Sequence, residues 1–185
     1  MSVIAFTSAS VLILLTPGPT NTLLAAAGAT SGLRRNLALP LAESLGYAVA
    51  IAAYVVLAGA LADHPTALAL LKLVNIGWLA VTAARLWRRA PGAAQGTRAP
   101  HGVVLLATML NPKAMLVGVI LIPAMMESAP ITATLAFSGL SFLAGLAWVA
   151  VGASLPPTMK RHANRAAATI VAAFAVLGAI SLGQA

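Results

Sequence analysis

The sequence predicts an all-α integral membrane protein: six transmembrane helices arranged as two inverted three-helix repeats, with both termini outside. Three observations predict it. First, 61% of the 185 residues are hydrophobic and only 8% charged, whereas soluble domains carry about 25% charge. Second, the apolar residues fall into six long runs whose intervening loops alternate between basic and acidic. Third, the two halves of the chain match at a nearly constant offset. Since one span takes about 20 residues, the length holds six spans and short loops but no soluble domain. The expected unit is one transmembrane domain over 1–185, with repeat one at about 1–90, a linker at about 88–101 and repeat two at about 102–185.

Segment one runs from about Val3 to Ala29 and carries T-P-G-P-T-N (Thr16, Pro17, Gly18, Pro19, Thr20, Asn21) in its middle. A cleaved signal peptide is not expected there, because the first charge, Arg34, follows the apolar run instead of preceding it. Segment two, about Leu37 to Leu61, holds Glu43, Gly46 and Tyr47, and a tight turn at Asp63-His64-Pro65 follows. Segment three covers about Thr66 to Trp87, and a Gly, Pro and Arg-rich stretch extends from Arg88 to His101. Segment four, about Val103 to Met125, contains Asn111-Pro112-Lys113, and a turn is expected at Glu127 to Pro130. Segment five covers about Thr132 to Leu155, ending at Pro156-Pro157, and segment six about Ala166 to Leu182. Runs this long without period-two alternation exclude membrane β-strands.

The basic residues orient these spans. Arg34 and Arg35 follow segment one; Arg85, Arg88, Arg89 and Arg98 end or follow segment three; Lys160, Arg161 and Arg165 follow segment five. The turns after segments two and four hold Asp63 and Glu127 instead. Positive charge stays on the cytoplasmic side, which puts loops one, three and five inside and both termini outside. The net charge of +8 is thereby a topology signal, and no nucleic-acid partner is expected.

Thr16-Pro17 lies 95 positions before Asn111-Pro112, and Ala53-Tyr54-Val55 lies 94 before Ala147-Trp148-Val149. Three spans per half force the halves to insert in opposite senses. Such inverted repeats, with broken helices meeting near the midplane, are a recurrent plan of secondary transporters. Proline lacks an N–H and pushes away the carbonyl four residues back, so Pro17, Pro19 and Pro112 should free the carbonyls of Ile13, Leu15 and Thr108. A plain kink satisfied by neighbouring helices is the simpler reading of one such motif. Two at matching places favour a binding site flanked by Pro17 and Pro112, to which Thr16, Thr20, Asn21 and Asn111 bring polar groups.

Charged side chains within spans are costly and mark cavities or partners. Glu43 and Tyr47 stand one turn apart on one helix face, and Gly46 is expected to leave room beside them. The alternative for Glu43 is an interfacial carboxylate reaching headgroup water. Lys113 lies deeper, where a charge costs about 2.5–3.5 kcal/mol on insertion scales; its alternative is a stem snorkelling to water, which is the preferred reading of Lys72. Met109, Met115, Met125 and Met126 read as packing residues, and Gly28 and Gly32 as a close-packing GxxxG. His64, His101 and His162 are too dispersed for a metal site. Cysteine is absent, which excludes disulfide and thiol chemistry. There is no Walker loop, dinucleotide fingerprint, HExxH or nucleophile elbow, so neither a cofactor nor an enzymatic activity is expected.

P-G-P-T-N-T-L-L at Pro17 to Leu24 with G-L-R-R at Gly32 to Arg35, L-K-L-V-N-I-G-W-L at Leu71 to Leu79, and L-N-P-K-A at Leu110 to Ala114 closed by Pro123 together resemble the motifs of the LysE/RhtB amino-acid exporters, in order and along essentially the whole chain. The resemblance implies export of amino acids or their derivatives across the bacterial cytoplasmic (inner) membrane, driven by protons. Where that family often carries an Asp in helix two, this chain has Tyr47, and Glu43 one turn earlier is expected to take its role. The implied partners are a small amphoteric substrate, protons and the lipid bilayer; homo-oligomerisation is left open. On this reading Lys113 and the helix ends receive a carboxylate, while Asn21, Asn111 or Glu43 receive an amino group. The competing classes are a non-transporting membrane subunit or assembly factor and, less favoured, a membrane-embedded enzyme.

Overall fold

The computed structural model describes residues 3–88, 100–126 and 128–183, all of them helical or in short connections. The expected turn acid Glu127, and Arg89 and Arg98 of the linker, lie outside the described residues. Segment one is two helices, α1 (Val3–Leu15) and α2 (Pro19–Ser31), bent by 56° at the proline motif. A short α3 (Leu33–Asn36) leads into α4 (Leu39–Asp63), and α5 (Pro65–Trp87) follows His64. Segment four breaks likewise into α6 (His101–Met109) and a second half bent by 42°. That half runs through α7 (Pro112–Leu116), a π-helical turn (Val117–Leu121) and α8 (Ile122–Met126). Helix α9 (Pro130–Ser154), the short α10 (Pro157–Lys160) and α11 (Ala163–Gly183) complete the chain.

Proline sets most of the starts. Pro19, Pro40, Pro65, Pro112, Pro130 and Pro157 each stand at the first or second helical position, where the missing N–H is unneeded and φ is already helical. Among the described residues, four helices are long and apolar enough to cross a membrane unbroken, and the two bent pairs bring the number to six if each is one span.

The distribution of polarity is that of a membrane protein. Val56 is 81% exposed, Ile4 77% and Ile131 75%, while Thr20, Asn21, Asn36, Glu43, Thr108, Asn111 and Ser141 are buried. Exposed apolar surface on this scale is foreign to soluble monomers, whereas in lipid it is polar groups that must be satisfied inside. The protein is therefore an all-α, multi-pass membrane protein.

Among the described residues, two of three apolar clusters flank the centre. Phe6, Leu14, Tyr47, Ile51, Val117, Ile122 and Phe137 join α1, α4, the second half of segment four and α9; the four methionines pack at or around this cluster or its margin as expected, Met109 and Met115 among them. Leu23, Leu79, Leu86, Ala107, Ala168 and Val171 join α2, α5, α6 and α11. Helices α2 and α9 touch backbone to backbone: a Cβ on Gly28 would collide with Val149 O, and one on Gly152 with Ala25 O. The expected Gly28/Gly32 packing pair holds for Gly28 alone. Gly32 has open space around it and a φ of 81°, and its N–H caps α2 on Gly28 O at 2.9 Å. It ends a helix, a role glycine fills because positive φ costs it nothing.

Candidate functional site

The two helix breaks meet. Pro17 cannot donate to Ile13 O, and that carbonyl instead accepts from Lys113 Nζ at 2.7 Å. The same ammonium donates to Thr16 O. Asn21 Nδ2 donates to Leu14 O at 2.7 Å and to Thr16 O at 3.0 Å, and Trp148 Nε1 reaches Leu14 O at 3.3 Å. The end of α1 thus carries three carbonyls held by a cation from segment four, an amide from α2 and an indole from α9. Gly18 makes the approach feasible: a Cβ there would stand 3.0 Å from Lys113 Cε and 3.2 Å from Nζ. The lysine stem lies across this bare backbone instead of snorkelling to water.

The second break is closed by its own residues. Thr108 O, freed by Pro112, accepts from the Asn111 N–H at 3.0 Å. Asn111 Oδ1 caps α7 by accepting from the Lys113 N–H at 3.0 Å, as an N-cap asparagine does. Its Nδ2 donates to Thr20 Oγ1 at 3.0 Å and lies 3.4 Å from the Tyr47 hydroxyl. Thr108 Oγ1 stands 3.4 Å from Thr20 Oγ1. Asn111 therefore ties segment four to α2 and α4 in one step.

Glu43 is 1% exposed and Tyr47 fully buried, which rules out the interfacial reading of the carboxylate. Among the described residues, Glu43 Oε2 has no hydrogen-bond partner. It sits against α9, where a Cβ on Gly145 would collide with it and stand 3.0 Å from Pro40 Cβ. The Tyr47 ring meets Phe137 edge-on, centroids 5.2 Å apart. Gly46 does not make the room expected beside this pair. It faces α6, where a Cβ would meet Thr108 Cβ at 2.8 Å and Leu105 O at 3.0 Å.

Of the residues singled out in the sequence, Thr16, Gly18, Thr20, Asn21, Tyr47, Asn111 and Lys113 join one connected network, with Glu43 at its edge. Pro17 and Pro19 shape the first break and Pro112 the second. The two breaks shaped by Pro17 and Pro112 approach each other at Lys113. The cavity that Pro112 lines, about 100 Å³, opens toward Lys72, Asn75, Ile76 and Phe174, and Pro17 is not on its wall. With Lys113 seated in the first break, that space is filled by the lysine stem. Thr108, Gly145 and Trp148 are not among the expected site residues; the sequence signals for them are the Thr108 carbonyl opposite Pro112 and the match of Trp148 to Tyr54 at offset 94.

The fold and this centre define a class: a multi-pass membrane protein whose two broken helices meet at a largely buried polar centre. Comparison of the chain with family models, with curated proteins and with solved structures finds no match. The chemistry of the site carries the functional argument.

Proposed function

We propose that this protein is a proton-coupled secondary transporter that exports amino acids or small amphoteric derivatives across the bacterial cytoplasmic membrane. The observation that carries the reading is the meeting of the two helix breaks around Lys113, Asn21, Asn111 and the nearby Glu43. Buried ionisable groups are expensive in a membrane and are kept at solute and ion pathways, and unwound helix ends near the midplane supply the dipoles that hold a solute's charges. The motif resemblance to LysE/RhtB exporters points the same way.

Two inverted repeats are part of the proposal. Ser44 Oγ donates to Ser138 O at 2.7 Å across 94 residues, the same offset that relates Tyr54 to Trp148. Equivalent residues of two repeats meet where a pseudo-two-fold axis passes, and α4 packing on α9 and α5 on α11 have the same reciprocity. Three spans in each half put both termini on one side, and the basic odd-numbered loops make that side the outside. A C-terminal reporter active only in the cytoplasm should therefore stay dark, and a bright fusion would overturn this orientation.

The function is tested by overexpression in a bacterial host challenged with toxic levels of amino acids and their analogues. At least one compound should become less toxic and accumulate less inside the cells. Unchanged sensitivity to the whole panel, with the protein present in the membrane, would leave export without support and return the chain to the class of non-transporting subunits.

A further inference from the structure

We infer that the carbonyls closing α1 form a seat for a primary ammonium group, and that Lys113 occupies it as a tethered competitor of the solute. The inference rests on the transporter reading and adds to it which part of the solute is held and what contends for the place. The last carbonyls of a helix carry no intrahelical donor and bear the negative end of the macrodipole, about half an elementary charge. Here Ile13 O and Thr16 O are both taken by one ammonium, while Asn21 and Trp148 pin Leu14 O and hold the backbone in place. Among these donors only Lys113 is a cation, and it alone sits on a long flexible stem from the other half of the chain. Its bed, Gly18, has no side chain to retain it. A solute that carries –NH3+ presents the same donors and the same charge, so solute and lysine exclude each other.

Glu43 supplies the bias. Tyr47 stands one turn along its own helix, α2 and α9 present Leu24 and the backbone of Gly145, and Lys113 is the cation of the adjoining network. An ionised Glu43, with one oxygen unpartnered, draws the lysine toward itself and opens the seat to the solute. A protonated Glu43 releases the lysine, which returns to the carbonyls and expels the solute. Proton entry and solute release then become one exchange.

Trp148 is a built-in reporter, since its indole N–H rests on the seat. The experiment uses the full chain in lipid nanodiscs with Trp78 and Trp87 replaced by Phe, titrated with methylammonium while Trp148 emission is followed. In that background K113M, which keeps the stem and removes the charge, should respond at a methylammonium concentration at least tenfold lower than the parent, and K113R should respond as weakly as the parent. Tetramethylammonium, which has the charge but no N–H, should not substitute. If K113M does not fold alone, methylammonium added during purification should restore it, and K113Q serves in the same titration. Equal midpoints in the parent and the neutral variants, or an equal response to tetramethylammonium, would overturn the seat. The two readings separate cleanly. A parent that exports amino acids but shows equal midpoints loses the seat and keeps the function, while a tenfold gain in a chain that exports nothing keeps the seat and loses the function.

Discussion

Gly152→Ala is expected to unfold the protein or lower its stability by about 3 kcal/mol, the upper range for forcing extra volume into a packed interior. The added methyl would occupy the position of the Ala25 carbonyl oxygen, with Ala25 Cα at 2.9 Å. Neither is the end of a flexible side chain, so α2 and α9 would have to separate. Gly28→Ala makes the reciprocal collision with Val149 O and meets Ala153 N at 3.0 Å. Separation of α2 and α9 would pull Asn21 away from the end of α1 and Trp148 away from Leu14, so solute handling should fail with stability. Gly139, on the same α9, has nothing within 4 Å of its would-be Cβ. Gly139→Ala should leave stability unchanged or raise it by about 0.5–1 kcal/mol, the ordinary gain of Ala over Gly in a helix. Thermal unfolding in detergent micelles measures all three. If Gly152→Ala melts with the parent, the backbone contact between α2 and α9 is not the packing that holds the two halves together.

The spans and their breaks were legible because membranes impose a coarse code. Apolar runs must be helical, prolines can start helices, and a proline inside a run must open one. That code links Pro17 to a freed carbonyl at Ile13. It did not lead to Lys113 as the group that fills the gap, because the direction of a four-carbon stem depends on the bare backbone at Gly18, a contact 95 residues away in sequence. The reading of Gly46 erred for a related reason: the helix wheel places it near Glu43, but only the packing of α6 decides which side of the wheel is crowded. Leu33–Asn36 and Pro157–Lys160 escaped notice as helices because each is a single turn, too short for any period to register. The π turn at Val117–Leu121 left no trace in a run that is apolar at nearly every position. Its wider coil lets Gly118 lie against Ile51 O, 3.0 Å from its would-be Cβ.

Glu43→Gln is expected to abolish accumulation driven by a pH gradient while leaving the protein folded. Gln preserves the volume against Gly145 and Tyr47 and removes only the ionisable oxygen. Folding should tolerate this, since a neutral amide is cheaper to bury than a carboxylate, and the orphaned Oε2 position gains an N–H that can donate. Coupling should not tolerate it. A proton-driven exporter needs a group that changes charge as the cavity alternates, because a ligand shifts a conformational equilibrium only through differential interaction with its two states. Of the three acids in the chain, Asp63 ends α4, Glu127 lies outside the described residues, and Glu43 lies beside the network that holds Lys113. Without its charge nothing draws Lys113 off the carbonyls of α1, and the exchange of lysine for solute stops at its first step. Transport in inside-out vesicles with an imposed pH gradient reads the effect directly. The parent should accumulate the exported solute and the variant should show no gradient-dependent uptake, with unchanged thermal unfolding to show that the fold survives. A variant that follows the gradient as the parent does would remove Glu43 from the coupling path and leave it as a carboxyl buried for packing alone.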